Sequence, residues 1–200
     1  MNKTTKIVIA VVAVVVVAVA LVLLLSSKSA SKLSVNSAED LTALVDKIYE
    51  GVSIEMPMLM TQAIETNDPD MVSYVTGLED AKDVEYVVAS EPMMTSQAYS
   101  LVLVKVKDGV DANSVAKTMN ENINERKWIC VTAEKIYTAA SGDVVCLVMS
   151  NADTAKAVYD SFKTLAGSVG QEYERAAEEI ELPDDMLPGQ DGLIDQPAAM

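Results

Sequence analysis

The sequence predicts an α+β fold: a mainly antiparallel sheet built from two strand-strand-helix units with helices packed on it, preceded by one N-terminal transmembrane helix. Three observations predict it. Two runs of period two, "VEYVVAS" and "AYSLVLVKVK", lead into a stretch of helical period from Ala112 to Asn124, with Val115, Met119 and Ile123 on one stripe. The same order returns in "EKIYTAA", "VVCLVMS" and a helix from about Ala152. Neither unit has the long crossover that parallel strands require, so the pairing is expected to be antiparallel. The third observation is the unbroken apolar run from Ile7 to Leu25.

That run is 19 residues without a charge. As a helix it would be about 28 Å long, close to the ~30 Å hydrocarbon core of a bilayer. Lys3 and Lys6 precede it, Lys28 and Lys32 follow it, and no lipidatable cysteine comes after it. An uncleaved signal anchor is favoured over a signal cleaved near "SSKSAS", with the short tail in the cytoplasm. The expected organisation is therefore a cytoplasmic tail at 1–6, an anchor at 7–25 and a linker at 26–36. An extracytoplasmic domain follows at 37–170, then an acidic tail at 171–200 that is disordered after about 182.

Within the domain, "SAEDLTALVDKIYEG" predicts an amphipathic helix with Leu41, Leu44, Val45 and Ile48 inward, a capping box from Ser37 to Asp40 and a stop at Gly51. Asp68, Pro69 and Gly77 mark the start and end of a second, short helix. "PMLMTQAIET" between them reads as a strand. Asp111 is the expected N-cap of the third helix, and Ser150 with Asp153 of the fourth, which carries Ala155, Val158, Phe162 and Leu165 before Gly167. A hairpin turn is expected at Ser141-Gly142-Asp143, which places Cys146 near Thr138. Helix is expected to persist over "QEYERAAEEIE", where Tyr173, Ala176, Ala177 and Ile180 share a face.

Composition excludes several function classes. Residues 33–200 carry 11 basic and 30 acidic side chains, a balance of −19, which opposes nucleic acid or an anionic polymer as partner. With no histidine, His-dependent triads and nearly all catalytic zinc sites are removed. Glu39-Asp40, Glu79-Asp80 and Asp184-Asp185 are adjacent pairs that diverge on a helix and cannot share a proton. No phosphate loop, calcium loop or serine-lysine motif is present. No cofactor is called for, and no enzyme activity is expected. Cys130 and Cys146 are expected as free thiols in apolar surroundings, because the hairpin does not bring them together.

The candidate binding residues fall in two segments. Glu91, Met93, Met94, Ser96 and Gln97 form a polar prelude to the strand at 98–107, and such a loop on a rigid sheet is a common place for recognition. The competing reading is a plain connection, stopped by Pro92, with both methionines folded over the core. Arg126, Lys127 and Trp128 offer a fork and a stacking face for an anion, against a plain helix end with a core tryptophan. Met56, Met58 and Met60 alternate, so in one strand they would share a face. That pattern suits monovalent copper or an ordinary core strand. The strand at 98–107 is apolar on both faces, with Val102, Val104 and Val106 on one and Tyr99, Leu101 and Leu103 on the other. Either helices cover both sides of the sheet or one end shows an apolar patch to a partner.

In "EYVVASEPMMTSQAYSLVLVKVKDG", "NERKWICVTAEKI" and "GDVVCLVMS" the chain resembles an uncharacterised family of small envelope proteins of Gram-positive anaerobes, with a membrane anchor or lipoprotein signal and one domain of unknown function. The resemblance spans roughly residues 39 to 165. It implies an extracytoplasmic location and carries no catalytic residues. The expected function is a membrane-tethered extracytoplasmic binding or structural module of the cell envelope, with the membrane and an envelope protein as partners. The alternatives are a methionine-based copper carrier and an enzyme that uses carboxylates alone.

Overall fold

A computed structural model describes residues 33–94 and 96–177. The expected anchor at 7–25 and the tail beyond 177 lie outside the described residues. Among those described, no helix is long and apolar enough to cross a membrane.

Helix α1 (Ala38–Glu50) begins where Ser37 accepts a hydrogen bond from the Asp40 amide (3.2 Å), and it buries Leu41, Leu44, Val45 and Ile48. Each such side chain removed from water stabilises by about 1.5–3 kcal/mol before entropy is counted. Strand β1 (Leu59–Ile64) leads to helix α2 (Pro69–Thr76), capped by Asp68 and ended by Gly77 at φ +76°. Strands β2 (Val84–Pro92) and β3 (Ser100–Val106) then precede helix α3 (Ala112–Asn122). Strands β4 (Lys135–Ser141) and β5 (Val144–Ser150) precede helix α4 (Ala152–Ala166) and strand β6 (Glu172–Ala176).

The six strands form one antiparallel sheet in the order β1-β2-β3-β5-β4-β6. Strand β3 is central and wholly buried. Val102, Val104 and Val106 face a core shared with α2 and α3, while Leu101 and Leu103 face a second core shared with α1 and α4. The sheet therefore lies between two helical layers. Helices α3 and α4 both pack on the β4–β5 hairpin, so they must take opposite faces. The repeated strand-strand-helix order is thus a repeat of sequence pattern whose helices end on different sides.

Four expectations are corrected. Ser141 pairs with Val144, leaving the two-residue turn Gly142-Asp143 with Gly142 at φ +63°, so Cys146 faces Ala139 and Thr138 faces Leu147. The cap of α4 is Asn151, whose side chain accepts from the Thr154 amide (2.9 Å), one residue beyond Ser150. The segment expected as helix is β6, which extends the sheet past residue 170. Its alternate residues Tyr173 and Arg175 turn inward, and Arg175 donates to the Asn120 and Ile123 carbonyls (2.8 and 2.7 Å) and pairs with Glu125 (2.9 Å). Pairing with the open side of β4 and capping the end of α3 outweigh a local helix preference. Finally, the thiols are both free but unlike: Cys146 is buried, whereas Cys130 is exposed.

Burial also pushes the Cys146 thiol far above its ordinary pKa. Maleimide labelling of the native chain is expected to modify Cys130 alone, with Cys146 reacting after denaturation. Two fast thiols would refute the buried position on β5.

Candidate functional site

The hairpin β2–β3 carries Glu91 at the end of one strand and Ser100 at the start of the next. Ser100 Oγ donates to Glu91 Oε1 (2.7 Å). Between α3 and β4, the amide of Ala133 bonds back to the Glu125 carbonyl (2.9 Å) and closes a loop across this end of the sheet. The loop seats Trp128 on the α2–α3 core and inserts Lys127 beneath it. Lys127 Nζ forms an ion pair with Glu91 Oε1 and donates to Ser100 Oγ (3.3 Å).

Two rings complete the enclosure. Lys127 Nζ lies 4.8 Å from the centre of the Tyr74 ring, on α2, and 5.6 Å from that of Trp128. The Lys127 side chain is 1% exposed and that of Glu91 23%. Burial lowers the lysine pKa, and the attraction of Glu91 opposes that shift without cancelling it. Tyr74 is shifted upward by burial and by the Glu91 charge.

The methionines cluster beside this ion pair. Met60 stands opposite Glu91 in the β1–β2 register, and the Met93 amide donates to the Met58 carbonyl (3.2 Å). Met58, Met60, Met93 and Met94 are 76%, 50%, 62% and 68% exposed, so Met93 and Met94 do not fold over the core. Sheet coverage and an apolar patch coexist: helices cover both faces, and the margin at β1 displays thioethers.

The sequence candidates are thus partly united and partly scattered. Lys127 links Trp128 to Glu91, and Glu91 stands opposite Met60 beside the Met58–Met93 pair. Met56 packs instead toward the α1–α4 core, because β1 starts at Leu59 and the three methionines do not share one strand. Gln97 is turned away with it, into a hollow of about 330 Å³ also lined by Glu55 and Tyr99. Ser96 is an exposed turn residue. Arg126 lies beside Glu125 (3.9 Å). Lys127 Nζ, 5.6 Å from the centre of the Trp128 ring, is neutralised by Glu91.

Sequence reasoning missed Ser100, Tyr74 and the role of Lys127. The only local sign was the lysine next to a lone tryptophan, and burial of a charge 36 residues from its partner leaves no periodic trace.

Ser100 is fully buried, so it offers no accessible nucleophile, and the lysine is held in a closed pair. At the other end of the molecule Glu79, Asp80, Asp83 and Asp111 rim a hollow of about 570 Å³. Among the described residues, no group of three or more His, Cys, Asp or Glu converges to hold a metal ion.

What the ion pair does is mechanical. It ties the end of β2, just before Met93 and Met94, to the loop before β4. No family model, curated protein or solved structure matches the chain.

Proposed function

We propose that this chain is a membrane-tethered, extracytoplasmic binding module of the cell envelope, without enzymatic activity, that grips a protein partner through Met58, Met60, Met93 and Met94. One observation carries the reading: four exposed methionines are grouped at one sheet margin, where water contact costs free energy and adaptable thioethers suit a partner surface. The apolar run at 7–25 and its flanking lysines support the tether. The absence of histidine and the burial of Ser100 support a binding role over a chemical one.

The test is photo-crosslinking in native membranes from position 94, with position 117 on α3 as a surface control. Protein adducts from position 94 that position 117 does not give are expected; identical products from both would refute the site. Protease added to intact protoplasts is expected to digest the domain, and digestion only after lysis would refute the location.

A second reading has its own observation. Met58 and Met93 are joined by a backbone hydrogen bond and Met60 lies two residues along β1, so three thioethers share one margin, a soft donor set of the kind that selects monovalent copper. Titration with cuprous ion distinguishes it: binding abolished by Met58→Leu and Met93→Leu favours the carrier, and no binding removes it.

A further inference from the structure

The two margins of the sheet are built differently. Strand β6 carries Glu172, Glu174 and Arg175, three charges in five residues, and such charges discourage pairing with another chain. Strand β1, "LMTQAI", carries none. Its pairing fixes which backbone groups are free. Because Met58 bonds to Met93, the even-numbered residues of β1 turn their N–H and C=O toward β2. Leu59, Thr61 and Ala63 therefore turn theirs outward, and among the described residues β1 is the last strand of the sheet on that side.

Charge frames this open edge. Glu55 lies before it, and Glu65, Asp68 and Asp70 lie after it, all exposed. An uncharged strand with acid at both ends is complementary to an extended segment that is uncharged in the middle and basic at both ends. A second copy fits badly. Antiparallel self-pairing centred on Thr61 would set Glu55 of one copy opposite position 67 of the other, between Glu65 and Asp68, so that like charges meet.

We propose that β1 accepts an extended partner segment as a seventh strand of the sheet, and that this segment has an uncharged, β-forming centre flanked by lysine or arginine roughly eight to ten residues apart. This rests on the binding-module reading and names its partner's chemistry. Main-chain hydrogen bonds from Leu59, Thr61 and Ala63 hold the segment. Met58 and Met60 cover its apolar side chains on one face, and the flanking acids select its ends.

The probe is the peptide Lys-Lys-Val-Thr-Val-Thr-Val-Thr-Lys-Lys, added to the isotope-labelled full chain in lipid nanodiscs. Slowed amide exchange at Leu59, Thr61 and Ala63 is expected, with the glutamate-flanked analogue binding roughly tenfold or more weakly. Ala63→Pro removes an outward donor and no β1–β2 hydrogen bond, so it is expected to keep the melting temperature and to weaken the peptide roughly tenfold. No protection at millimolar peptide, equal binding of both peptides, or protection that grows with protein concentration alone would overturn the proposal, the last in favour of a second copy. If position 94 crosslinks a protein while the peptide leaves these amides unprotected, the binding module stands and strand addition falls.

Discussion

Glu91→Ala is expected to destabilise the fold by about 3–5 kcal/mol, because it leaves the Lys127 ammonium buried with no carboxylate. The lysine side chain is 1% exposed and cannot reach water without opening the loop that holds it. Lys127→Met is expected to cost less, about 1–2 kcal/mol, since the Glu91 side chain is 23% exposed and keeps its bond from Ser100. The double variant is expected to resemble Lys127→Met alone, since the penalty of Glu91→Ala comes from the stranded cation. Denaturant unfolding of the four proteins tests this cycle. A single variant at Glu91 no more damaging than the one at Lys127 would show that the lysine escapes to solvent. Crosslinking from position 94 is expected to weaken with Glu91→Ala, because the base of that loop is released.

Gly77→Ala is expected to cost about 2–5 kcal/mol, combining left-handed strain of roughly 1–2 kcal/mol with overpacking of about 1–3 kcal/mol. Gly77 is at φ +76°, and an added Cβ would stand 2.5 Å from the Ile123 nitrogen and 2.9 Å from the Asn122 carbonyl carbon. These are backbone atoms at the end of α3, which cannot rotate aside. Gly109→Ala isolates the conformational part, since Gly109 is at φ +82° with nothing within 4 Å of the added carbon. It is expected to cost about 1–2 kcal/mol. Equal losses for the two variants would mean that α2 and α3 separate freely. Close approach matters at Gly77 because α2 holds Tyr74 over Lys127, so a shift of α2 opens the corner.

Elements dominated by local signals were legible in the sequence. The Ser37, Asp68 and Asp111 caps, the stops at Gly51, Gly77 and Gly167, and the two-sided apolarity of β3 all lie within windows of a few residues. Segment 172–176 was misread because its glutamates, arginine and alanine favour helix locally, whereas the unpaired edge of β4 and the carbonyls ending α3 lie more than 30 residues away. Cys146 shifted by one partner because hairpin register depends on whether Ser141 joins the ladder or the turn. The candidate corner was visible as three unconnected fragments. Methionines, the Glu91 loop and the Trp128 segment were each noticed, but their convergence depends on strand order and on a loop closed by the Glu125–Ala133 hydrogen bond.

The sequence by itself determined the kind of most described elements and their antiparallel pairing, because periodicity and capping are short-range properties. Tertiary structure alone decided which face each helix covers, which margin of the sheet is guarded by charge, and that Lys127 meets Glu91. Those outcomes depend on which surfaces compete for the same hairpin and which buried charge must be paired, and both are settled only when distant segments pack together.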